Sequence, residues 1–405
     1  MVWGPWTLVI FLGVGIFFTL RCHFFQIRGF LFWWSRTAGR LISGEASRKE
    51  DGNKTGKGKG ISQFQSVCTA LAATVGTGNI AGVATALTAG GPGALFWMWV
   101  SALIGMITAY AETMLGIRYR YRDKDGHYIC GPFIYMERGL GLRGMGVLYS
   151  FLCLMSSLGM GSMVQANSAI STMEYTWHVP ALAGGLIFTG LLVLVTWGGI
   201  RRIGNVAEKL VPAASGIYIA FSMIVILSCL EQIPGALVSM VSSAFLPEAA
   251  AGGTAGYVIS RSVRYGISRG VFSNEAGLGT LAVLHGPTEG TTPHEQGMWA
   301  MFEVFFDTVV FAFATIMAWF YLGRQAAAYF IRGCGFGENA QRMFSAKVYP
   351  LLFIAAVFLG SEARLGLVWL LSDVWNGLMA FPNLTALLFL SREVTLPEGF
   401  LRRRD

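Results

Sequence analysis

Hydrophobic residues form long, nearly uninterrupted runs along this chain, and polar residues gather between the runs. A helix that crosses a bilayer needs about 20 mostly apolar residues, because unpaired backbone polar groups are too costly in lipid. A window of that length predicts ten spans, give or take one: 2–20, 64–86, 91–115, 144–169, 180–197, 211–230, 255–284, 298–321, 348–359 and 365–390. The ninth is short, and the tenth is interrupted at Asp373, Asn376 and Pro382.

The composition supports this reading of the pattern. Of the 405 residues, 54% are apolar and 13% are charged, whereas soluble domains carry roughly a quarter charged residues. So little polar surface excludes a soluble enzyme, a disordered chain and a nucleic-acid-binding protein. The six cysteines form no CxxC motif, which disfavours zinc sites and disulfide frameworks. We therefore expect an all-α, multi-pass protein of a bacterial-type cell membrane.

The basic residues are distributed as topology signals. Residues 21–60 hold nine Lys and Arg, residues 116–143 hold six and residues 198–210 hold three, while the intervening connections hold none. By the positive-inside rule, the rich connections are cytoplasmic and the N-terminus is outside. The alternation then fails, because 285–297 holds none and 322–347 holds four. Strict alternation would place 322–347 and the basic tail 392–405 outside.

Two spans carry clusters of glycine and polar residues near their middle. The second contains "AATVGTGNIAG" (72–82), and the seventh contains "GISRGVFSNEAG" (266–277). Each glycine costs a helix about 1 kcal/mol relative to alanine, so dense clusters at membrane depth are expected where the backbone lines a cavity. Close helix packing is the alternative explanation, but packing does not need Asn79, Asn274 or Glu275. The sequence therefore predicts two broken helices.

The order of the spans predicts how the chain is organised. Four unbroken spans separate the two broken helices, so each opens a repeat of about five spans, as in transporters with inverted repeats. We divide the chain into a first helix with a basic segment (1–60), a first repeat (61–230), a connection (231–254), a second repeat (255–391) and a basic tail (392–405). Free N–H groups at one half-helix suit a carboxylate, and free carbonyls at the other suit a sodium ion.

Several motifs resemble one family of transporters. The chain is similar to the alanine or glycine:cation symporters in "TVGTGNIAGVATALTAGGPGALFWMWVSALIGM" (74–106), "GIRRIGNVAEKLVP" (199–212), "RGVFSNEAGLGT" (269–280), "FFDT" (305–308) and "LMAFPNLTALLFLS" (378–391). The resemblance covers nearly the whole chain. It implies the leucine-transporter fold with discontinuous helices, and transport of small amino acids with Na⁺ or H⁺ but no organic cofactor.

The resemblance also implies site residues. Backbone amides of Thr77, Gly78 and Asn79 would hold the substrate carboxylate. Groups around the ammonium and the small side chain would come from Phe272, Ser273, Asn274, Glu275 and Gly277, with Gln165 facing the substrate and Trp319 closing the site. Sodium would bind the carbonyls of Ala72 and Val75 and the hydroxyl of Thr315.

Other roles stay open for single residues. Glu275 could cap free N–H groups of its broken helix instead of binding ligand, and Gln165 could bond a neighbouring helix. Arg269 could snorkel to the interface or form a gating pair with Glu275 or Asp307. Residues 266–270 also match the GxSxG motif of serine hydrolases, which requires a strand–turn–helix elbow and a partnered histidine. We give this hydrolase interpretation little weight.

The chain departs from the family where "FFDT" runs directly into "FAFATIMAW" (311–319). Some tens of residues and one crossing are absent, at the place where the charge alternation fails. We therefore predict that 298–321 forms one hybrid helix, straight or bent near 309–311, and that the second repeat is shortened. Ala314 stands where the family has a serine, which weakens the sodium site.

These observations favour a secondary transporter of a small neutral amino acid such as alanine or glycine, driven by Na⁺ or H⁺. Its partners would be that amino acid and membrane lipid, with no nucleic acid. The alternative is a degenerate membrane protein that binds an amino acid without translocating it. The sequence does not decide the oligomeric state.

Overall fold

A computed structural model describes residues 3–42, 60–74, 82–197, 199–228, 230–245, 255–307, 326–362 and 365–401. Its principal elements are helices, and its one sheet pairs the short antiparallel strands β1 (Tyr121–Arg122) and β2 (Tyr128–Ile129). The helices are α1 (Pro5–Arg21), α2 (Phe25–Arg28), α3 (Phe30–Arg36), α4 (Ala38–Ile42), α5 (Gln63–Thr74), α6 (Val83–Gly90), α7 (Gly93–Tyr119), α8 (Pro132–Arg138), α9 (Arg143–Leu158), α10 (Gln165–Trp177), α11 (Ala181–Thr196), α12 (Gly199–Ser228), α13 (Ile233–Phe245), α14 (Ala255–Asn274), α15 (Thr280–Leu284), α16 (Pro293–Asp307), α17 (Glu338–Met343), α18 (Tyr349–Glu362), α19 (Leu365–Phe389) and α20 (Glu398–Leu401).

The all-α class predicted from hydropathy is confirmed. By length and apolar character, α7 and the continuous helix Arg143–Trp177, formed by α9, a π-helical turn and α10, could each cross a membrane. Helices α11 and α12 pass the same test when taken together. Two further apolar helices among the described residues, α1 and α13, are shorter.

Two helices differ in extent or continuity from the pattern expected of their spans. The sixth span was placed at 211–230, but α12 begins at Gly199 and includes Pro212. The tenth span was expected to be interrupted, yet α19 runs unbroken from Leu365 to Phe389 with Pro382 inside it. Asn376 is buried, bonding the Ser156 hydroxyl, and Asp373 pairs with Arg269. Polar residues on this helix therefore bond to other helices and do not break it.

Large apolar side chains cover much of the outer surface. Trp6 is 81% exposed, Trp197 is 84% exposed and Leu194 is 60% exposed, and many further leucines, isoleucines and phenylalanines are exposed. Such an apolar exterior is unfavourable in water but suits lipid. The interior also contains polar side chains, which bond one another between the helices.

Basic connections meet on one face of the molecule. Arg120, from the connection 116–143, donates to the carbonyls of Gly286 and Thr288 at 2.6 Å each, and Ile61 pairs with Thr288. The connection 285–297 therefore lies with the Lys/Arg-rich connections although it holds no basic residue itself. This agrees with the cytoplasmic side expected for it.

Strict alternation would place 322–347 and the C-terminal segment outside, but the structure places them beside the basic connections. Arg342 lies 3.0 Å from Asp125, an ion pair that joins 322–347 to the basic connection 116–143. Near the C-terminus, Glu393 pairs with Arg118 at 3.1 Å. All the basic connections described here thus share one face, as the positive-inside rule requires, and strict alternation is what fails. Residues 402–405 lie outside the described residues.

The predicted hybrid helix at 298–321 is described only in part. Helix α16 begins on the basic face, and residues 326–333, which include Tyr329 stacked on Phe133 at 4.7 Å, lie on that same face. The hybrid helix is described only as far as Asp307, and residues 308–325 lie outside the described residues.

Candidate functional site

The seventh span is a broken helix, as the sequence predicts. Helix α14 ends at Asn274 and the short helix α15 begins at Thr280. Between them Glu275, Gly277 and Gly279 have φ angles of 56°, 84° and 82°. Left-handed backbone at three of five positions cannot continue a right-handed helix. The break also lies in the interior, because residues 275–279 are all buried.

The break lies later in the span than the glycine cluster indicated. Gly266 and Gly270 belong to α14. A Cβ on Gly266 would lie 2.4 Å from the Ala94 carbonyl oxygen, and one on Gly270 would lie 2.2 Å from the Ser101 hydroxyl. Close packing of α14 on α7 thus accounts for these two glycines. Ser268 lies in the same helix, which removes the elbow that a serine hydrolase requires.

One face of the break is held by Glu112 and Asn383. The Asn383 amide nitrogen donates to the Glu112 carboxylate and, at 2.9 Å, to the Gly277 carbonyl. Backbone amides of Gly277 and Gly279 also interact with the Glu112 carboxylate. Glu112 and Asn383 are fully buried, so α7 and α19 together satisfy backbone groups that the broken helix leaves without helical partners.

Two tyrosines add hydrogen bonds to the contacts that Glu112 and Asn383 make with the break. The Tyr149 hydroxyl donates to the Leu278 carbonyl at 2.7 Å, and the Tyr135 hydroxyl donates to Asn383 Oδ1. A Cβ on Gly279 would lie 2.3 Å from Pro132 Cγ and 2.8 Å from the Tyr149 oxygen. Glycine is therefore required at residue 279 by its φ angle and by its neighbours.

The end of α14 releases backbone carbonyls from the helix. Glu275 N still donates to the Val271 carbonyl at 2.9 Å, but Ala276 N donates to the Asn274 side chain at 3.2 Å. The Phe272 carbonyl thus loses the helical partner four residues ahead. Carbonyl oxygens at such a helix end attract cations. They can accept hydrogen bonds from an ammonium group.

Before the break, the last turns of α14 contact aromatic and charged side chains of α19. The rings of Phe272 and Trp369 lie 4.7 Å apart, and the Arg269 guanidinium lies 4.5 Å from the Trp369 ring centre. Arg269 also forms a two-bond ion pair with Asp373, at 2.7 and 2.9 Å. Of the roles considered for Arg269, pairing is observed, but the partner is neither Glu275 nor Asp307. The Asp373 side chain is 26% exposed.

Asp307 lies beside the break from a third direction. Its carboxylate accepts a hydrogen bond of 2.7 Å from the Ser273 hydroxyl, and both residues are buried. This contact joins the last residue of α16 to the last turn of α14. Ser273 is thus placed at the break as predicted, although its described partner is a carboxylate of the protein.

The other predicted residues divide into two groups. Gln165 is buried in the helix that follows a π-helical turn, and Ala72 is buried in the last turn of α5. The remaining ones lie outside the described residues: Val75, Thr77, Gly78, Asn79, Thr315 and Trp319. The first broken span is described as α5 up to Thr74 and α6 from Val83, so its predicted central cluster stays a prediction from residue 75 to residue 81.

Sequence reasoning missed the residues that hold the break. Glu112, Asn383, Tyr149 and Trp369 were not singled out as site residues. For Glu112 a signal existed, because a carboxylate inside a predicted span is functional by default. Asn383 follows Pro382 in a matched motif, but nothing local to it indicates a bond to a residue 271 positions away.

Comparisons with known proteins agree with the motifs. A family model described as the sodium:alanine symporter family matches residues 1–311 and 309–397. The sodium/alanine symporter AgcS of Methanococcus maripaludis is 34% identical, over 96% of this chain and 92% of that protein. A putative sodium/proton-dependent alanine carrier of Bacillus subtilis is 30% identical over 98% and 89%. The probable sodium/glutamine symporter GlnT of B. subtilis is 32% identical over 97% and 87%.

The family model matches this chain in two parts. Its two parts meet at residues 309–311, where the sequence indicated a missing segment. The alignment with AgcS runs over 444 positions, more than the 405 residues of this chain. That relative therefore has residues without a counterpart here.

Proposed function

This chain belongs to the sodium:alanine symporter family, and we propose that it imports a small neutral amino acid, such as alanine or glycine, across the cell membrane. As a family member it is a multi-pass membrane transporter and not an enzyme, and the coupling ion is a cation. The proposal concerns the substrate, the ion and the residues that bind them.

The observation that carries the proposal is the buried break between α14 and α15. It offers carbonyl oxygens from the last turn of α14 to an ammonium group. Phe272 and Trp369, in contact at 4.7 Å, provide an aromatic wall beside it. A wall of two large rings leaves little room, so it favours a short substrate side chain.

The substrate's carboxylate would bind the backbone amides of Thr77, Gly78 and Asn79 in the first broken helix. Asn274, Glu275 and Gly277 would complete the site around the ammonium group, with Gln165 and Trp319 lining the cavity. The fully buried position of Glu275 in the break supports this assignment. A sodium ion, as the co-transported substrate, would use carbonyls of Ala72 and Val75 and the Thr315 hydroxyl. The position of Ala72 in the last turn of α5 supports that choice.

Transport would proceed by movement of one repeat against the other around the fixed site. Arg269 and Asp373 join α14 to α19 beside the break, and Asp373 is partly exposed. An ion pair that connects two helices at the rim of a site can separate when they move. This pair would then close one side of the site.

The test is uptake and counterflow of labelled alanine and glycine in proteoliposomes, with and without a sodium gradient. We expect saturable uptake that the gradient increases. Saturable binding without uptake would support the degenerate, non-translocating alternative, which the shortened second repeat favours. No binding of either amino acid would contradict the proposed substrate class.

A further inference from the structure

A second buried polar cluster lies beneath the break, where α15 ends. His285 Nε2 lies 2.8 Å from Glu303 Oε2, and both side chains are fully buried. The Gln296 amide nitrogen lies against the other ring nitrogen of His285, Nδ1. The Ser66 hydroxyl oxygen lies 3.5 Å from the same Nδ1. The Thr288 hydroxyl lies 2.7 Å from Ser66 Oγ. Two titratable groups and three neutral polar groups thus form one enclosed network.

The network ties together the parts that must move during transport. Ser66 lies on α5, which precedes the break predicted at 75–81, and His285 follows α15, the second half of the other broken helix. Glu303 and Gln296 lie on α16, whose last residue, Asp307, bonds Ser273 at the break. A change in the charge of the network therefore acts on both broken helices at once.

The hydrogen bonds of the network permit two protonation states. With Gln296 as oriented, its N–H donates to Nδ1, and His285 is neutral and donates from Nε2 to Glu303. Turning the amide by half a turn presents its oxygen to Nδ1–H instead, which suits an imidazolium. The Thr291 hydroxyl, 2.9 Å from Gln296 Oε1, can donate or accept and so serves both orientations.

The charges around the pair favour binding of a proton. An imidazolium beside a carboxylate is neutral as a unit, whereas a neutral imidazole leaves a buried negative charge. Glu303 Oε1 has no hydrogen-bond partner among the described residues, so the carboxylate is incompletely solvated. Cys68 on α5 interacts with Glu303, and Glu208 on α12 interacts with Cys68. On the loop that carries His285, Cys130 lies against Gly286, Arg120 bonds the carbonyls of Gly286 and Thr288, and Glu289 bonds the Gly60 amide. Burial raises the pKa of Cys130 to about 12, so that thiol does not titrate with the pair.

We propose that His285 and Glu303 form a proton-binding site that holds the bases of the two broken helices together, and that releases its proton when they separate. This inference rests on the proposed transport function and names the site at which a proton would act in it. Histidine is suited to the role because its charge changes in the physiological range of pH.

The experiment measures initial rates of alanine uptake by the full chain in proteoliposomes between about pH 5.5 and 8.5, at a saturating sodium gradient. For the native chain we expect rates that change with a single protonation. His285→Gln keeps a polar group but cannot bind the proton, so its profile should be flat within about twofold. The matched control is His294→Gln, because His294 bonds the Tyr110 hydroxyl at 2.9 Å outside the network and should keep the native profile.

A second variant tests the proposal even if His285→Gln fails to fold. Gln296→Glu leaves the pair intact and places a carboxylate at Nδ1, which should shift the midpoint of the profile upward by about one pH unit. A flat native profile, an unchanged His285→Gln profile, an equal effect of His294→Gln, or an unshifted Gln296→Glu midpoint would each overturn the proposal.

A readout without substrate separates this proposal from the transport function. The thermal unfolding midpoint of the detergent-solubilised native chain should depend on pH through the buried pair, and His285→Gln should abolish that component. If this holds while no amino acid is transported, the proton site stands and the proposed function fails. If alanine is transported but neither His285→Gln nor Gln296→Glu changes the profile, the proposed function stands and the proton site fails.

Discussion

The break between α14 and α15 and the turns of α14 before it are held by different kinds of contact. At the break, Glu112 and Asn383, both fully buried, bond to its backbone. Before the break, Arg269 on α14 bonds Asp373 on α19 through side chains, and Asp373 is partly exposed. Contacts to the backbone fix its shape, whereas a partly exposed pair of side chains can separate and re-form. We therefore expect the Glu112 face to be the scaffold and the Arg269–Asp373 pair to be the contact that opens.

The largest effect is expected from removing the carboxylate of the scaffold. Glu112→Ala leaves the Asn383 amide and the backbone amides of Gly277 and Gly279 without their acceptor in the interior. We expect the free energy of unfolding to fall by about 3–5 kcal/mol, with loss of uptake. Denaturation of the purified protein in detergent measures the first effect, and alanine uptake measures the second.

Two further substitutions control this experiment. Glu112→Gln retains one acceptor oxygen and should lose less stability than Glu112→Ala. Glu174→Ala changes an exposed glutamate on α10 and should leave both quantities near native values. A stable, active Glu112→Ala protein would show that this face is not the scaffold.

A smaller loss is expected from Gly279→Ala. At φ 82° a Cβ is strained, and it would overlap Pro132 and Tyr149. We expect about 2–4 kcal/mol of destabilisation from the strain and the overlap together, measured in the same way. Gly290→Ala is the matched control, because Gly290 has φ 65° but nothing within 4 Å of its Cβ position. Equal effects of the two substitutions would mean that the contacts at Gly279 are unimportant.

Breaking the ion pair between Arg269 and Asp373 should reduce uptake with little change in stability. Asp373→Asn removes the charge that Arg269 binds, and we expect a change in unfolding free energy below about 1 kcal/mol, because Asp373 is partly exposed. Uptake should fall by about tenfold, equivalent to about 1.4 kcal/mol, since the pair joins the two helices that close the site. Asp125→Asn breaks a pair of similar length, 3.0 Å, with Arg342 on the basic face and should leave uptake unchanged. An active Asp373→Asn protein would remove the gating role.

The smallest effect concerns selectivity. Trp369→Phe shortens the aromatic wall beside Phe272, so larger neutral amino acids should compete better with labelled alanine. We expect the ratio of their inhibition constants to change by about tenfold or less, because one or two methylenes in an apolar pocket discriminate only modestly. Trp177→Phe, at a tryptophan that is 70% exposed, should leave the ratio unchanged. An unchanged ratio for Trp369→Phe would exclude this wall from the substrate site.

The sequence by itself determined the helical class and the presence of a break in the seventh predicted span, because hydropathy and left-handed backbone are local properties of the chain. It placed the break within 266–277, whereas the left-handed positions lie at 275–279: a glycine needed for close packing, such as Gly266, and one needed for a positive φ, such as Gly279, look alike in a sequence.

Only the tertiary structure decided which residues hold the break and on which face the C-terminal segment lies. Glu112 and Asn383 are 271 positions apart, and the pairs Arg269–Asp373 and Arg118–Glu393 also join distant segments. The free energy of such contacts depends on burial and geometry, which the folded chain creates and no local pattern contains. The same is true of His285 and Glu303, two ordinary residues until the fold encloses them together.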